Sequence, residues 1–304
     1  MRFKKLDLNL LVALDALLQE RNISRAAVRV NLSQPAMSNA LSRLREHCGD
    51  GLLIPAGRQM MLTPRAESLQ QPVREILLRV DSDVVAPAVF DPATSIRSFS
   101  MLVSDFTTTV FMPPMLRALY AQAPAVQIHL KPQASTPHEL LEEGEADFLI
   151  IPMQYVSSLH PCVPLFEDDY VVVSWDEHPT VRDSLSREQY LQASHVVSSY
   201  GSSGNRNQPV LEGWFLEREG IARKIDITAS TMAALPSLVV GTARLATVHR
   251  RIAMHAQQHL PIRIWPTPMK IPKLVQMLQW NKLREADPGL RWIRDLCLEV
   301  GGKI

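Results

Sequence analysis

Leu10, Leu11, Leu14, Leu17 and Leu18 recur at i, i+1, i+4, i+7 and i+8. That spacing puts them on one stripe of a helix predicted from about Asp7 to Arg21. Ser24 is the expected N-cap of a short second helix whose Ala26, Ala27 and Val30 permit close approach by a neighbour, and Asn31-Leu32 makes a turn. A third helix is predicted from Ser33-Gln34-Pro35, with Ser33 as cap and Pro35 in the first turn, to about His47. Met37, Ala40, Leu41 and Leu44 share its apolar face, while Pro35, Ser38, Asn39, Ser42 and Arg45 share the other. A small, polar, positive face of this kind fits a DNA major groove, where Asn pairs with base edges and Arg reaches guanine or phosphate.

From Pro64 onward, Ala66, Leu69, Val73, Ile76 and Val80 follow the alternating 3-4 spacing of a coiled-coil seam. Because a helix between two domains is expected to have little of its own to cover such a stripe, the seam predicts a homodimer. After Val85 the segment 86–93 loosens into a Pro-containing hinge. The remainder alternates short apolar strands with amphipathic helices, an α/β pattern. Strands are predicted at 99–103, 126–130, 148–151, 170–174, 225–228, 245–248, 262–265 and 274–280, and helices at 110–122 and 214–219.

A chain of 304 residues suggests more than one core. The net charge of +1 hides an asymmetry: residues 1–70 hold ten Lys/Arg against six Asp/Glu, and the rest is slightly acidic. A basic head on an acidic body suits a protein of which only the first part meets an anionic polymer. Cys48, Cys162 and Cys297 lie far apart with no CxxC, so neither a disulfide framework nor a zinc site is expected. No apolar run approaches the ~20 residues of a membrane span, and Asp7, Asn9 and Asp15 interrupt the N-terminal leucines. The expected location is the cytoplasm.

The run Leu6-Asp7-Leu8-Asn9-Leu10-Leu11, then Ser24 to Ala27, then Ser33-Gln34-Pro35-Ala36-Met37-Ser38 resembles the LysR-type transcriptional regulators. The resemblance implies a winged helix-turn-helix over 1–63, a linker and dimerisation helix over 64–85, and a two-lobed, periplasmic-binding-protein-like effector domain over 94–304. Lobe I would take about 94–165 and 267–304, lobe II about 166–266. It further implies DNA contacts from Ser33, Gln34, Pro35, Ser38, Asn39, Ser42 and Arg43, with Leu52–Leu62 as the wing. The usual wing has an aromatic where this chain has Leu53 and an arginine where it has Pro55, which leaves Arg58 for the minor groove. Promoter DNA carrying an interrupted palindrome, a small-molecule co-inducer, a second or fourth copy of the chain, and RNA polymerase are the implied partners; no cofactor, metal or membrane is. Asp105 to Thr108, Ala123 to Val126, Ala146 to Ile150 and Pro261 to Ile264 look most like the branch of nodulation and aromatic-degradation regulators, whose effectors are aromatic or phenolic.

Ligands of doubly wound sheets sit outside the carboxyl ends of strands. The candidate effector contacts are therefore Ser104, Asp105 and Thr107 after the first strand of this domain, Ser135 and Thr136 after the second, Ser202 and Ser203 in a Gly-rich loop, Thr231 at a helix start, and His249 after a strand. Enzymatic readings find little: Gly201-Ser202-Ser203-Gly204 is out of frame for a nucleophile elbow, and His255 and His259 stand at i, i+4 without a third ligand. Two alternatives remain, a redox sensor acting through Cys162 and a solute-binding or enzymatic use of the two-lobed domain.

Overall fold

The computed structural model describes residues 7–57, 59–85, 89–133, 136–198 and 211–304. The chain divides into two units, one of residues up to 88 with 283–287, the other of 89–282 with 288–304.

In the first unit, Asp7 caps α1 (Leu8–Glu20) by accepting from the Asn9 N–H, and Arg21 ends it in the left-handed region at φ 47°. The abrupt stop places Asn22 in extended backbone, so Asn22 rather than the expected Ser24 caps α2 (Ile23–Arg29), accepting from Arg25 N–H at 3.0 Å. Ser33 caps α3 (Gln34–Cys48), and Gly49, at φ 63°, supplies the left-handed C-cap that favours glycine. Strands β1 (Leu53–Ala56) and β2 (Gln59–Leu62) pair antiparallel, Leu53 opposite Leu62, and lead into α4 (Pro64–Val80). Five further residues, Asp81–Val85, continue α4 as a π-helical turn. Pro72 stands within α4 on an exposed position, and Ser68 loses its helical amide partner there.

The leucine stripe of α1, Ala26 and Ala27 of α2, and Met37, Ala40, Leu41 and Leu44 of α3 form one buried core with Leu52, Leu53 and Leu62. Each such leucine contributes roughly 1.5–3 kcal/mol. At the wing's base, the Thr63 hydroxyl donates to Asp50 Oδ1 at 2.5 Å and accepts from the Ala66 N–H, while Leu52 N–H donates to the same carboxylate oxygen. The Thr63 hydrogen bond, more than any other contact, holds the Asp50 carboxyl below the usual carboxylate range.

The seam on α4 needs correcting. Ala66 and Val73, expected to face a partner subunit, are 0% and 4% exposed within their own unit, and Leu69 is partly buried against the same core. Helix α1 packs along α4 and covers that end of the stripe. Ile76 is 45% exposed and Val80 half-buried, so only the far end of the seam is open. Arg74 pairs with Asp15 of α1 at 3.1 Å, both side chains largely buried.

The second unit contains two five-stranded sheets. In chain order its elements are β3 (Ser98–Val103), α5 (Asp105–Val110), α6 (Met112–Gln122), β4 (Gln127–Pro132), α7 (Pro137–Glu142), β5 (Phe148–Pro152), β6 (Cys162–Asp168), β7 (Tyr170–Trp175), α8 (Arg187–Gln192), β8 (Ser194–Ser198), α9 (Leu211–Arg218), β9 (Lys224–Ala229), α10 (Leu235–Val239), β10 (Arg244–His249), α11 (Arg250–Gln257), β11 (Ile262–Pro266), β12 (Leu274–Trp280) and α12 (Pro288–Gly301). The first sheet runs β4-β3-β5-β12-β6, with β3 parallel to β4 and β5 and β12 antiparallel to its neighbours. The second runs β11-β7-β10-β8-β9, with β8 parallel to both neighbours and β7 antiparallel to both of its own. The chain crosses from one sheet to the other between β6 and β7 and returns between β11 and β12.

All eight expected strands are present, and β6 and β8 are additional. The helix expected over 110–122 is α6, starting at Met112, and α5 before it is additional: Pro113 and Pro114 cannot return amides to the carbonyls of Thr109 and Val110, so α5 ends and α6 starts afresh. Apolar side chains from both sheets, among them Phe99, Phe106, Val171 and Val248, form one continuous core.

We expect Arg74→Ala to lower the stability of the first unit by about 1–3 kcal/mol, since it leaves the Asp15 carboxylate poorly solvated. All five tryptophans lie beyond residue 170, so the readout is the calorimetric transition of the first unit rather than fluorescence. A change below about 0.5 kcal/mol would mark the pair as an ordinary surface one.

Candidate functional site

Burial of Met37, Ala40, Leu41 and Leu44 rotates the opposite face of α3 outward. Ser33, Gln34, Pro35, Ser38, Asn39, Ser42 and Arg43 are all exposed there. Ser33 also has a local task, since its hydroxyl accepts from the Ala36 N–H. Arg45, read from the sequence as part of the groove face, is turned elsewhere: its Nε donates to Gly51 O at 2.8 Å and its Nη2 to Leu53 O at 2.6 Å. It fastens the wing to the end of α3. Arg58 lies outside the described residues. Arg25 and Arg29 of α2 pair with Glu20.

In the second unit the effector candidates separate into caps, loop residues and a cluster. Ser104 caps α5 by accepting from the Thr107 N–H, and the Thr107 hydroxyl lies 3.1 Å from the Ser104 hydroxyl. Thr107 is 0% exposed, so it is a structural cap partner rather than a surface contact. Thr136 is exposed at the start of α7 and makes no side-chain cap. Thr231 does not open a helix as expected: α10 starts at Leu235, and Thr231 is exposed in the loop after β9. A turn closed by Leu235 N–H on Met232 O precedes the helix and delays it. Ser135, Ser202 and Ser203 lie outside the described residues.

Asp105 and His249 do come to one place. Asp105 Oδ2 accepts from the Ala233 N–H at 2.9 Å, joining the start of α5 to the loop after β9. His249, the last residue of β10, has its ring centroid 4.3 Å from that of Phe106 and 4.5 Å from that of Tyr170. Phe166 lies 5.9 Å from Phe106 and stacks on Phe111 at 5.6 Å. Phe106, Phe166 and Tyr170 were not among the sequence candidates; their signal was position, Phe106 beside Asp105 and the other two flanking the crossover at Asp168-Asp169. Burial pushes the His249 imidazole down to about 3, so it is uncharged at neutral pH, and its buried Nδ1 has no hydrogen-bond partner.

The cysteines differ in setting. Cys297 is buried in α12 and its thiol is pushed up to about 12 by burial; Cys48 is raised for the same reason; Cys162 is exposed at the start of β6. Among the described residues no group of three or more His, Cys, Asp or Glu is placed to hold a metal ion, and no helix is long and apolar enough to cross a membrane.

Residues 8–67 match the family model described as a bacterial regulatory helix-turn-helix protein of the lysR family, and residues 96–302 match the LysR substrate binding domain. The chain belongs to the LysR family of transcriptional regulators. It is a DNA-binding regulator with an effector domain behind the reader. Nodulation protein D of Bradyrhizobium sp. (strain ANU 289) is 40% identical over 304 residues, the whole of this chain and 89% of that protein. A probable transcriptional regulator of Pseudomonas aeruginosa shares the fold over 97% of both chains, with a TM-score of 0.64 and 28% identity. The full-length CbnR structure, solved with its target DNA, superposes over 98% of this regulator and 99% of that chain, with a TM-score of 0.59 and 16% identity, a likeness of fold.

Two outcomes are expected. Asn39→Ala with Ser42→Ala should reduce discrimination between operator and random DNA more than non-specific binding, whereas Arg43→Ala should weaken all DNA and lower the salt slope by about one. Titrations on both DNAs across salt decide, and unchanged discrimination would remove the two groove-face residues from the reader. The second concerns pH. His249 titrates near 3 in the folded protein and in the ordinary histidine range when unfolded, so the unfolded chain binds more protons between those values. Stability is therefore complete above about 6.5 and falls on acidification. His195, pushed down to about 4 by burial, acts in the same direction. His249→Phe should flatten the decline of the effector-unit melting point between about pH 7 and pH 5; an unchanged slope would assign the decline to other groups.

Proposed function

We propose that this regulator is an activator that reads an interrupted palindrome as a homodimer or homotetramer and responds to a small aromatic or phenolic effector held between its two lobes. The contacts with DNA come from Ser33, Gln34, Pro35, Ser38, Asn39, Ser42 and Arg43, with Arg58 assigned to the minor groove, and RNA polymerase is the further partner of an activator. The protein works at the chromosome in the cytoplasm and needs no cofactor or catalytic step. The observation that carries the reading is the exposed polar face of α3 on a core otherwise closed, in a chain alike over its full length to nodulation protein D.

The junction of the two sheets supports the effector class. Phe106 and Tyr170 flank the uncharged imidazole of His249 where β3 and β10 end, and Phe166 lies against Phe106. Rings of this kind stack on aromatic ligands, and a neutral imidazole, unlike an imidazolium, does not attract an anion. The redox reading rests on Cys162, exposed at the start of β6, whereas burial moves Cys48 and Cys297, the other two thiols, away from the thiolate that a resolving partner needs. Thermal-shift screening of the full-length protein against flavonoids, phenols and aromatic acids tests the effector class, since a ligand that binds only the folded state raises the midpoint. No shift with any of these classes would count against the aromatic reading.

The dimer depends on what remains of the α4 seam. Ile76→Glu with Val80→Glu places like charges on the open end of the stripe without touching Ala66 or Val73. Sedimentation should give monomers, and selection from random DNA should then return half-sites instead of palindromes spaced by about one helical turn. A dimer surviving both substitutions would place the interface elsewhere.

A further inference from the structure

The hydrogen bond from Ala233 N–H to Asp105 crosses from the first sheet's α5 to the loop after the second sheet's β9, 128 residues apart in sequence. It lies beside Phe106, whose ring meets His249 at the end of β10. A loop amide at the carboxyl end of a strand is what a ligand carboxylate would seek, and here a carboxylate belonging to the protein already occupies it. The cations on the neighbouring helix α11 are engaged as well: Arg251 pairs with Asp168 at 3.1 Å and donates to Glu167 O, and Arg250 lies 3.8 Å from Asp169. His249 is uncharged and its Nδ1 is buried without a partner.

From this arrangement we propose that Asp105 is a specificity-determining residue that excludes anionic effectors, its carboxylate holding the Ala233 amide and selecting neutral, hydroxylated aromatic ligands over their carboxylate analogues. The inference rests on the reading of the lobe junction as the effector site and narrows it. An incoming carboxylate must displace a tethered one and then lie beside it, whereas a neutral hydroxyl donates to the Asp105 carboxylate. Like charge at such range disfavours the anion by about tenfold or more.

The test compares 4-hydroxycinnamic acid with its methyl ester, one scaffold with and without charge, by calorimetric titration into the full-length protein near neutral pH. The unsubstituted protein should bind the ester at least about tenfold more tightly than the acid. Asp105→Asn keeps an accepting oxygen but removes the charge, and Asp105→Ala removes both; each should bring the two affinities within about threefold. Hydrogen exchange without ligand reads the contact independently. The Ala233 amide should exchange about tenfold faster in Asp105→Ala and stay protected in Asp105→Asn. Equal exchange in the unsubstituted protein and Asp105→Ala, or an undiminished ester preference in both variants, overturns the proposal. If neither probe binds any form while Ala233 remains protected, the aromatic-effector reading fails and the selectivity proposal falls with it.

Discussion

A buried carboxylate at the crossover between the two sheets is the constraint on which the effector unit depends. Asp168 ends β6 with almost no exposure, and burial drives its carboxyl above the usual range against the pull of Arg251. An isolated charge there would be expensive, so its oxygens are filled: Oδ1 accepts from the Asp169 N–H and approaches Arg251 Nη1, and Oδ2 accepts from the Arg251 N–H. Arg251 also donates to Glu167 O and Ile304 O. The end of β6, the start of β7 and the first turn of α11 are thereby fixed to one another, so Tyr170, one residue after Asp169, and His249, two residues before Arg251, meet ring to ring.

That fixed crossover also sets the geometry of the proposed effector site. With β6, β7 and α11 tied, Tyr170 and His249 meet ring to ring, Phe106 of α5 packs on His249 and Phe166 on Phe106, and the Asp105–Ala233 bond joins α5 to the loop after β9. The contacts near His249 are apolar or neutral, which is why the imidazole loses its proton. A ligand at this junction changes the equilibrium between lobe geometries only by binding one of them better. Asp105 gives the junction a favoured geometry without any ligand.

Much of this was legible in the residues, and the exceptions share a cause. Caps and 3.6 periodicity are local, so α1 and α3 with Asp7, Ser33 and Pro35 could be read directly. Asn22 and Ser24 are both good caps two residues apart, and only the left-handed Arg21 decides between them. Strand β6 escaped because Pro164 sits at a register shift on an edge strand, and β8 because His195 interrupts its apolar run. The sequence shows that a side chain is polar but not which way it faces: Arg45 turned to the wing, Thr107 to Ser104, and Asp105 to an amide 128 residues away.

The α4 stripe carries the same lesson into assembly. Periodicity says that Ala66, Leu69, Val73, Ile76 and Val80 are one face, but not what covers it, and α1 takes the first half. Helix rise of about 1.5 Å per residue leaves roughly 14 Å between Ile76 and Val85 for a partner. A contact of that length is short for a stable interface, which needs about 800 Å² from each side. The first unit has more to offer, since Leu8 and Val12 on α1 and Val84 and Val85 after α4 are exposed apolar side chains. Covering α4 with α1 therefore leaves exposed apolar side chains on both helices. The Arg74–Asp15 pair joins those helices and so fixes how the two sets of apolar side chains lie relative to each other.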